Sequence, residues 1–305
     1  RAAEIAAAGM HNFLMIGPPG AGKTMIAKRI PTILPGLTRE ESLEISRVYS
    51  VCGLLEGKGQ AVVRPFRAPH HTISASALAG GGRRILPGEI SLATRGVLFL
   101  DELPEFQRNV LEALRQPLEE GQVVISRVNG KYVFPAHFQL VAAMNPCRCG
   151  YYPDRERCSC LPGEVARYMH RISWPLLDRI DICAEVHKVA YQDLARAGTS
   201  ESSGQIRERV EKARILQKKR YKGCAWQYNA GLPSWGVHRF CPLGSEEEQI
   251  LKTAFEKMDL SARAYHRIIK VARTIADLEN EPDIRTPHLL EAIGYRCVDR
   301  KYWER

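Results

Sequence analysis

Hydrophobic positions in the first two thirds of the chain come as short unbroken runs, not as alternating patterns. "NFLMIG" (12–17), "GVLFLDE" (96–102), "QLVAAMN" (139–145) and "DICAEV" (181–186) are each too short for a globular helix. Glycine, proline or charged residues bound them, which predicts buried strands. Between these runs the pattern turns helical. A helix is expected from about Lys23, with Pro31 kinking or ending it. Thr38 and Glu41 have capping-box spacing ahead of "REESLEISRVYSV". "PEFQRNVLEALRQPLEE" and "EVARYMHRIS" read as further helices. Strands separated by helices predict a parallel sheet in an α/β fold. Two stretches depart from this alternation. Residues 53–96 are rich in Gly, Pro, Arg and His and predict a long irregular insertion, with one short helix near Ser74–Ala79. "VVISRVNGKYVF" alternates with period two and predicts a hairpin turning at Asn129 and Gly130.

The strand signal stops at about Ala190. "TSESSGQ" (199–205) reads as a polar linker, and "IRERVEKARILQKKRY", "EEEQILKTAFEKM", "SARAYHRIIKVARTIADLEN" and "PHLLEAIGYRCV" as helices. The expected division is therefore an α/β domain over residues 1–189 and an all-α domain over 190–305, with no internal repeats. The opening alanines and Ile5 form a short helix stopped at Gly9. A start inside a helix predicts that the chain is part of a longer protein.

Composition narrows the class only a little. The 305 residues, 45% hydrophobic and 26% charged, are an ordinary globular mixture. No apolar run approaches the roughly 18 residues of a membrane span, and the N-terminus lacks a signal-peptide pattern. Nine cysteines without an export signal favour a reducing, cytoplasmic setting and metal binding over disulfides. The net charge of +10 suits an acidic partner such as nucleic acid without requiring one.

The chemistry is concentrated in a few motifs. "GPPGAGKT", Gly17 to Thr24, is a phosphate-binding loop between an expected strand and helix. Gly17, Gly20 and Gly22 let backbone N–H groups wrap phosphates, Lys23 reaches the β- and γ-phosphates of ATP, and the Thr24 hydroxyl ligates Mg²⁺. Asp101 ends "VLFLD" as a second Mg²⁺ ligand, and Glu102 is the base for an attacking water. Asn145, at the end of another strand, either positions that water or simply caps the strand. Arg179 in "PLLDRID" is either an arginine finger for a neighbouring subunit or the ion-pair partner of Asp178 or Asp181. Arg263 in "LSARAYHR" is a phosphate-sensing candidate, with Arg267 one turn on as its rival. Arg127 and Lys131 flank the hairpin turn and can grip a nucleic-acid backbone. Arg64, Arg67, His70, His71, Arg83 and Arg84 cluster in the insertion, where each alone reads more simply as a solvated or structural side chain. The segment 217–222 reads as a basic helix end that complements the helix dipole. Cys147, Cys149, Cys158 and Cys160 form two C-x-C pairs after Asn145. A structural metal, untethered thiols and a redox pair are the three readings. Four sulfurs match tetrahedral coordination of Zn²⁺.

The phosphate loop, strand-end Asp-Glu and Asn, "LLDRID" and "SARAYHR" resemble those of AAA+ ATPases. "RPFRAPHHTISASALAGGG", "PGEISLATRGVLFLDELPEF", "FQLVAAMNPCRCG" and "LSARAYHRIIKVARTIADL" are more specific. They resemble the magnesium-chelatase-like YifB/ComM family over nearly the whole chain. The resemblance implies an AAA+ core with a helix-2 insertion and pre-sensor hairpin, followed by an all-α lid. It further implies a homo-hexameric ring, DNA branch migration during natural transformation, association with recombination proteins, and an additional N-terminal Lon-like domain missing here. It places the family's nucleotide-handling roles on Lys23, Thr24, Asp101, Glu102, Asn145, Arg179 and Arg263. Competing readings are a magnesium-chelatase motor subunit, a protein-remodelling or protease-associated motor, and a nucleotide switch that does not hydrolyse. The hairpin lacks the aromatic-hydrophobic tip expected of a threading motor.

Overall fold

The computed structural model describes residues 1–55, 59–82, 84–127, 130–188 and 201–303. They form two compact units, one made of Arg1–Pro35 with Ile180–Arg305 and the other of Gly36–Arg179. The first therefore unites both ends of the chain, whereas the expected boundary at 189/190 falls among residues outside those described.

In the first unit, strand Phe13–Ile16 pairs in parallel with strand Ile182–Glu185, from Phe13↔Ile182 to Ile16↔Glu185. Both sit inside the expected runs and are fully or largely buried. Helix Ala2–Gly9 packs against helices Ser203–Arg220 and Ala262–Leu278, and helix Thr286–Tyr302 covers strand Ile182–Glu185. Gly9 is required by close approach, since a Cβ there would stand 2.2 Å from the His11 ring. Helix Lys23–Ile33 runs through Pro31 and ends two residues later. Pro31 removes one N–H near the helix end, where few turns remain to be disrupted. After residue 201 the described regular elements are all helices, in agreement with an all-α C-terminal region. Ser202 and Gln205 form a capping box on the first of them, and the Ser261 hydroxyl caps Ala262–Leu278.

The second unit holds three parallel strands in the order Phe66–Arg67, Val97–Leu100, Gln139–Met144. The latter two are wholly buried, as continuous apolar runs require. Thr38 and Glu41 make both capping-box bonds, at 3.2 and 3.0 Å. The insertion has more order than the sequence suggests. Its short helix is Ala75–Ala79, and a two-residue ladder, Gly80–Gly81 with Leu86–Pro87, is followed by helix Glu89–Leu92. The single helix expected over "PEFQRNVLEALRQPLEE" is broken into a 3-10 turn, Leu103–Glu105, and helices Arg108–Glu112 and Arg115–Glu120. Pro117 cannot donate the backbone bond that would join the last two.

The hairpin pairs Gln122–Arg127 with Gly130–Pro135, and its register runs from Gln122↔Pro135 to Arg127↔Gly130. Gly130 is thus a strand residue and not a turn residue, while Asn129 lies outside the described residues. The register is fixed by cross-strand pairing of Ile125 with Tyr132 and Val123 with Phe134, β-branched against aromatic.

Candidate functional site

The phosphate loop belongs to the first unit. It leaves strand Phe13–Ile16 and enters helix Lys23–Ile33, whose N-terminus has no side-chain cap. Gly20 and Gly22 have φ of 75° and 86°, and a Cβ at either would meet nothing within 4 Å. The loop therefore presents an open backbone surface at the positive end of a helix dipole, the arrangement that an anion requires. Gly17 serves a different purpose, because a Cβ there would lie 2.1 Å from the Val186 carbonyl oxygen. Lys23 Nζ donates to the Gly17 and Pro18 carbonyls at 2.7 and 2.9 Å, while Thr24 is exposed. The donors, the cation and the hydroxyl together fit a nucleotide phosphate with its Mg²⁺.

Asp101, Glu102 and Asn145 belong to the second unit. In the register of Val97–Leu100 with Gln139–Met144, the last pair is Leu100↔Ala142. Asp101 and Asn145 therefore follow the same C-terminal edge of neighbouring strands. Glu102 has a left-handed backbone, φ 52°, and its N–H donates to Asp101 Oδ1 at 3.0 Å. A non-glycine residue in that region is strained, and such strain gathers at working sites. The Glu102 carboxylate lies 3.5 Å from Nδ1 of His71, whose ring packs on His70 at 4.1 Å. Sequence reasoning set His71 aside as structural. The signal it lacked was the path of the insertion back to the end of strand Val97–Leu100.

The basic cluster of the insertion resolves into separate structural pairs. Arg64, with its side chain 7% exposed, donates to the Arg95 carbonyl at 2.6 Å and to Glu41 at 2.9 Å. Arg67 makes a two-point bond to Glu89 at 2.6 and 2.7 Å. Neither is a solvated loop charge. Arg84 is exposed, and Arg83 lies outside the described residues. On the hairpin, Arg127 and Lys131 are exposed as expected, but so are Tyr132 and Val133, at 38% and 52%. The hairpin therefore does carry an aromatic and an apolar side chain beside its cations.

Arg179 is buried, and its partners are neither Asp178 nor Asp181. Nε donates to the Arg115 carbonyl at 3.1 Å, Nη1 to the Pro175 carbonyl at 2.5 Å, and Nη2 pairs with Glu119 at 2.5 Å. In the first unit, Arg263 is exposed in the opening turn of helix Ala262–Leu278. Arg267, one turn on, binds Asp181 at 3.2 Å. Burial raises the Asp181 pKa, but His11 at 3.6 Å, Arg267 and the Asn12 N–H at 2.9 Å outweigh it and bring it down to about 2. Arg267 thus has a structural ion pair with Asp181.

The Sγ atoms of Cys147, Cys149, Cys158 and Cys160 all lie within 4.8 Å of one another. Cys147 is buried, and the other three are half-buried.

With this geometry in place, the comparisons with known proteins are decisive for the family. The model for magnesium chelatase subunit ChlI matches residues 1–194, and that for the ChlI C-terminal region matches residues 200–296. The chain belongs to the magnesium chelatase ChlI family. This ChlI-family chain is 50% identical to competence protein ComM of Haemophilus influenzae and 46% identical to YifB of Escherichia coli. Each match covers 98% of this chain and 58% of the relative, so the chain spans little more than half the length of those proteins. The 38 kDa magnesium-chelatase subunit of Cereibacter sphaeroides is 23% identical over 45% of this chain and 46% of its own length. The AAA+ α/β fold followed by an all-α region is shared with this ChlI-type family. Among the described residues, no helix is long and apolar enough to cross a membrane.

Proposed function

We propose that the chain is the ATP-hydrolysing motor of a cytoplasmic DNA-processing ring, acting in branch migration during recombination of incoming DNA. The observation that carries the ATPase reading is the phosphate loop, with its open Gly20 and Gly22 and with Lys23 at the mouth of a helix. Similarity to a competence protein along nearly the whole chain supports the DNA reading. Bound Mg²⁺-ATP supplies the phosphoryl group to be transferred to water. The chain's own residues do the rest. Loop N–H groups and Lys23 hold the phosphates, Thr24 and Asp101 serve as Mg²⁺ ligands, and Arg263 senses the γ-phosphate. Glu102 accepts the proton of the attacking water, Asn145 orients that water, and His71 holds the Glu102 carboxylate in place. Arg179 acts as a finger in a homo-hexamer only if it exchanges its partners Glu119, Arg115 and Pro175 for a neighbour's phosphate. The hairpin, through Arg127 and Lys131, grips the DNA backbone, with Tyr132 available for stacking. Recombination proteins are the natural partners of such a ring.

The test is ATP turnover and branch migration on a three-strand DNA junction, by wild type and Glu102→Gln. Turnover stimulated by branched or single-stranded DNA, with both activities lost in Glu102→Gln, supports the proposal. Stimulation by a porphyrin with chelatase partner subunits, and none by DNA, favours the chelatase reading to which the partial similarity points. Unfolding of a tagged protein favours a threading motor, and unchanged turnover in Glu102→Gln favours a nucleotide switch.

A further inference from the structure

The strongest feature not used by nucleotide chemistry is the segment between strand Gln139–Met144 and helix Pro162–Met169. Residues 145–161 contain no helix or strand, yet the fold brings four cysteines of this segment together. Cys147 Sγ lies 3.3 Å from Cys149 Sγ and 3.8 Å from Cys158 Sγ, and Cys149 and Cys158 are 3.6 Å apart. None of the four is in a disulfide. These separations are far longer than the roughly 2.05 Å of a sulfur–sulfur bond. A tetrahedral zinc with sulfur ligands at about 2.3 Å places the sulfurs about 3.8 Å apart. The three separations among Cys147, Cys149 and Cys158 lie at or somewhat below that value, and the Cys160 sulfur is within 4.8 Å of the other three.

The surroundings suit thiolates as well. The Tyr152 N–H donates to Cys147 Sγ at 3.4 Å. Backbone donors of this kind offset the negative charge of a sulfur-only shell and orient its ligands. Arg148, Arg155 and Arg157, on the same segment, add positive charge. A redox pair needs only two of these sulfurs and does not account for the convergence of all four. Thiols without a metal would leave an irregular seventeen-residue stretch (145–161) with little apolar content to order it.

We propose that Cys147, Cys149, Cys158 and Cys160 bind one structural Zn²⁺ as four thiolates, their protons passing to solvent. The zinc ties the loop after Asn145 to the start of helix Pro162–Met169. Binding free energy on the order of 10 kcal/mol is ample to order such a loop. The site is independent of the nucleotide reading and stands or falls by itself.

The experiment is metal analysis of the chain purified without chelator, combined with titration of its thiols by a mercurial. The expected result is about one zinc per chain, released in step with modification of four of the nine cysteines. Cobalt added to chelated protein should give the visible spectrum of a tetrahedral, sulfur-bound ion, and Cys158→Ser with Cys160→Ser should lose it. Because that double variant could misfold, the cobalt spectrum and zinc release of the wild type are read first. Less than about a tenth of a zinc per chain, with no cobalt spectrum, overturns the proposal. Iron in place of zinc overturns the identity of the ion.

Discussion

Arg179 offers the sharpest separation between a structural and a catalytic role. Its guanidinium is buried and satisfies two backbone carbonyls, those of Arg115 and Pro175, as well as Glu119. Arg179→Ala takes a charged donor from each carbonyl, and a hydrogen bond made by a charged group is worth about 1.5–3 kcal/mol. The Glu119 side chain is 47% exposed, so losing its ion pair adds at most about 1 kcal/mol. Taking the lower part of these ranges, the variant should lose about 3 kcal/mol of stability. Arg179→Lys keeps the charge but not the fork and should recover less than half of that. Glu119→Gln should stay within about 1 kcal/mol of wild type. The assay is urea unfolding followed by fluorescence, since Trp174 opens the helix that carries Pro175 and is the one tryptophan of the second unit. An Arg179→Ala protein within about 0.5 kcal/mol of wild type would refute the packing argument. Turnover in assembled rings tests the finger separately. A finger loses roughly 10³–10⁵ in rate on removal, far beyond what this loss of stability produces in a protein that remains folded. If the lysine variant is folded and hydrolyses ATP at the wild-type rate, Arg179 is a structural residue alone.

Four further outcomes follow from particular contacts. His71→Ala should lower kcat roughly 10-fold with KM for ATP unchanged, and His71→Asn should restore part of it, because the lost contact is the 3.5 Å approach of Nδ1 to the Glu102 carboxylate; equal loss in both variants would point to mere packing. Arg127→Ala with Lys131→Ala should reduce the slope of log affinity for single-stranded DNA against log salt by about 1.4, since two phosphate contacts are removed; an unchanged slope argues against the hairpin. Tyr132→Ala should weaken the same binding by about 1–3 kcal/mol while leaving that slope alone. Asp181 gives a pH test: its folded pKa of about 2 lies below the ordinary value, so its contribution is present above about pH 4 and is lost as pH falls toward 2. That contribution is about 2 kcal/mol, and an Asp181→Asn protein whose acid unfolding matches wild type over this window would contradict it.

The elements that the sequence predicts well are those whose causes lie within a few residues. Strands Val97–Leu100 and Gln139–Met144 follow from unbroken apolar runs, because burial on both faces removes any need for alternation. The capping box of Thr38 and Glu41 and the phosphate loop are likewise local, being set by side chains and glycines that act on the adjacent backbone. The partners of charged side chains are not local. Arg64 and Arg67 look like a basic patch until the fold brings them to Glu41 and Glu89, more than twenty positions away. Arg179 sits between two aspartates in sequence but binds Glu119 and the Arg115 carbonyl, which a distant segment brings to it, besides the nearby Pro175 carbonyl. A desolvated charge takes whichever acceptor the long-range path of the chain places in the same dry region, and no short window contains that information. The four cysteines lie between these cases. Their number and sulfur chemistry are legible in the sequence alone. Whether two C-x-C pairs eight residues apart can meet at tetrahedral spacing depends on how the loop turns back on itself, and the tertiary structure alone decides it.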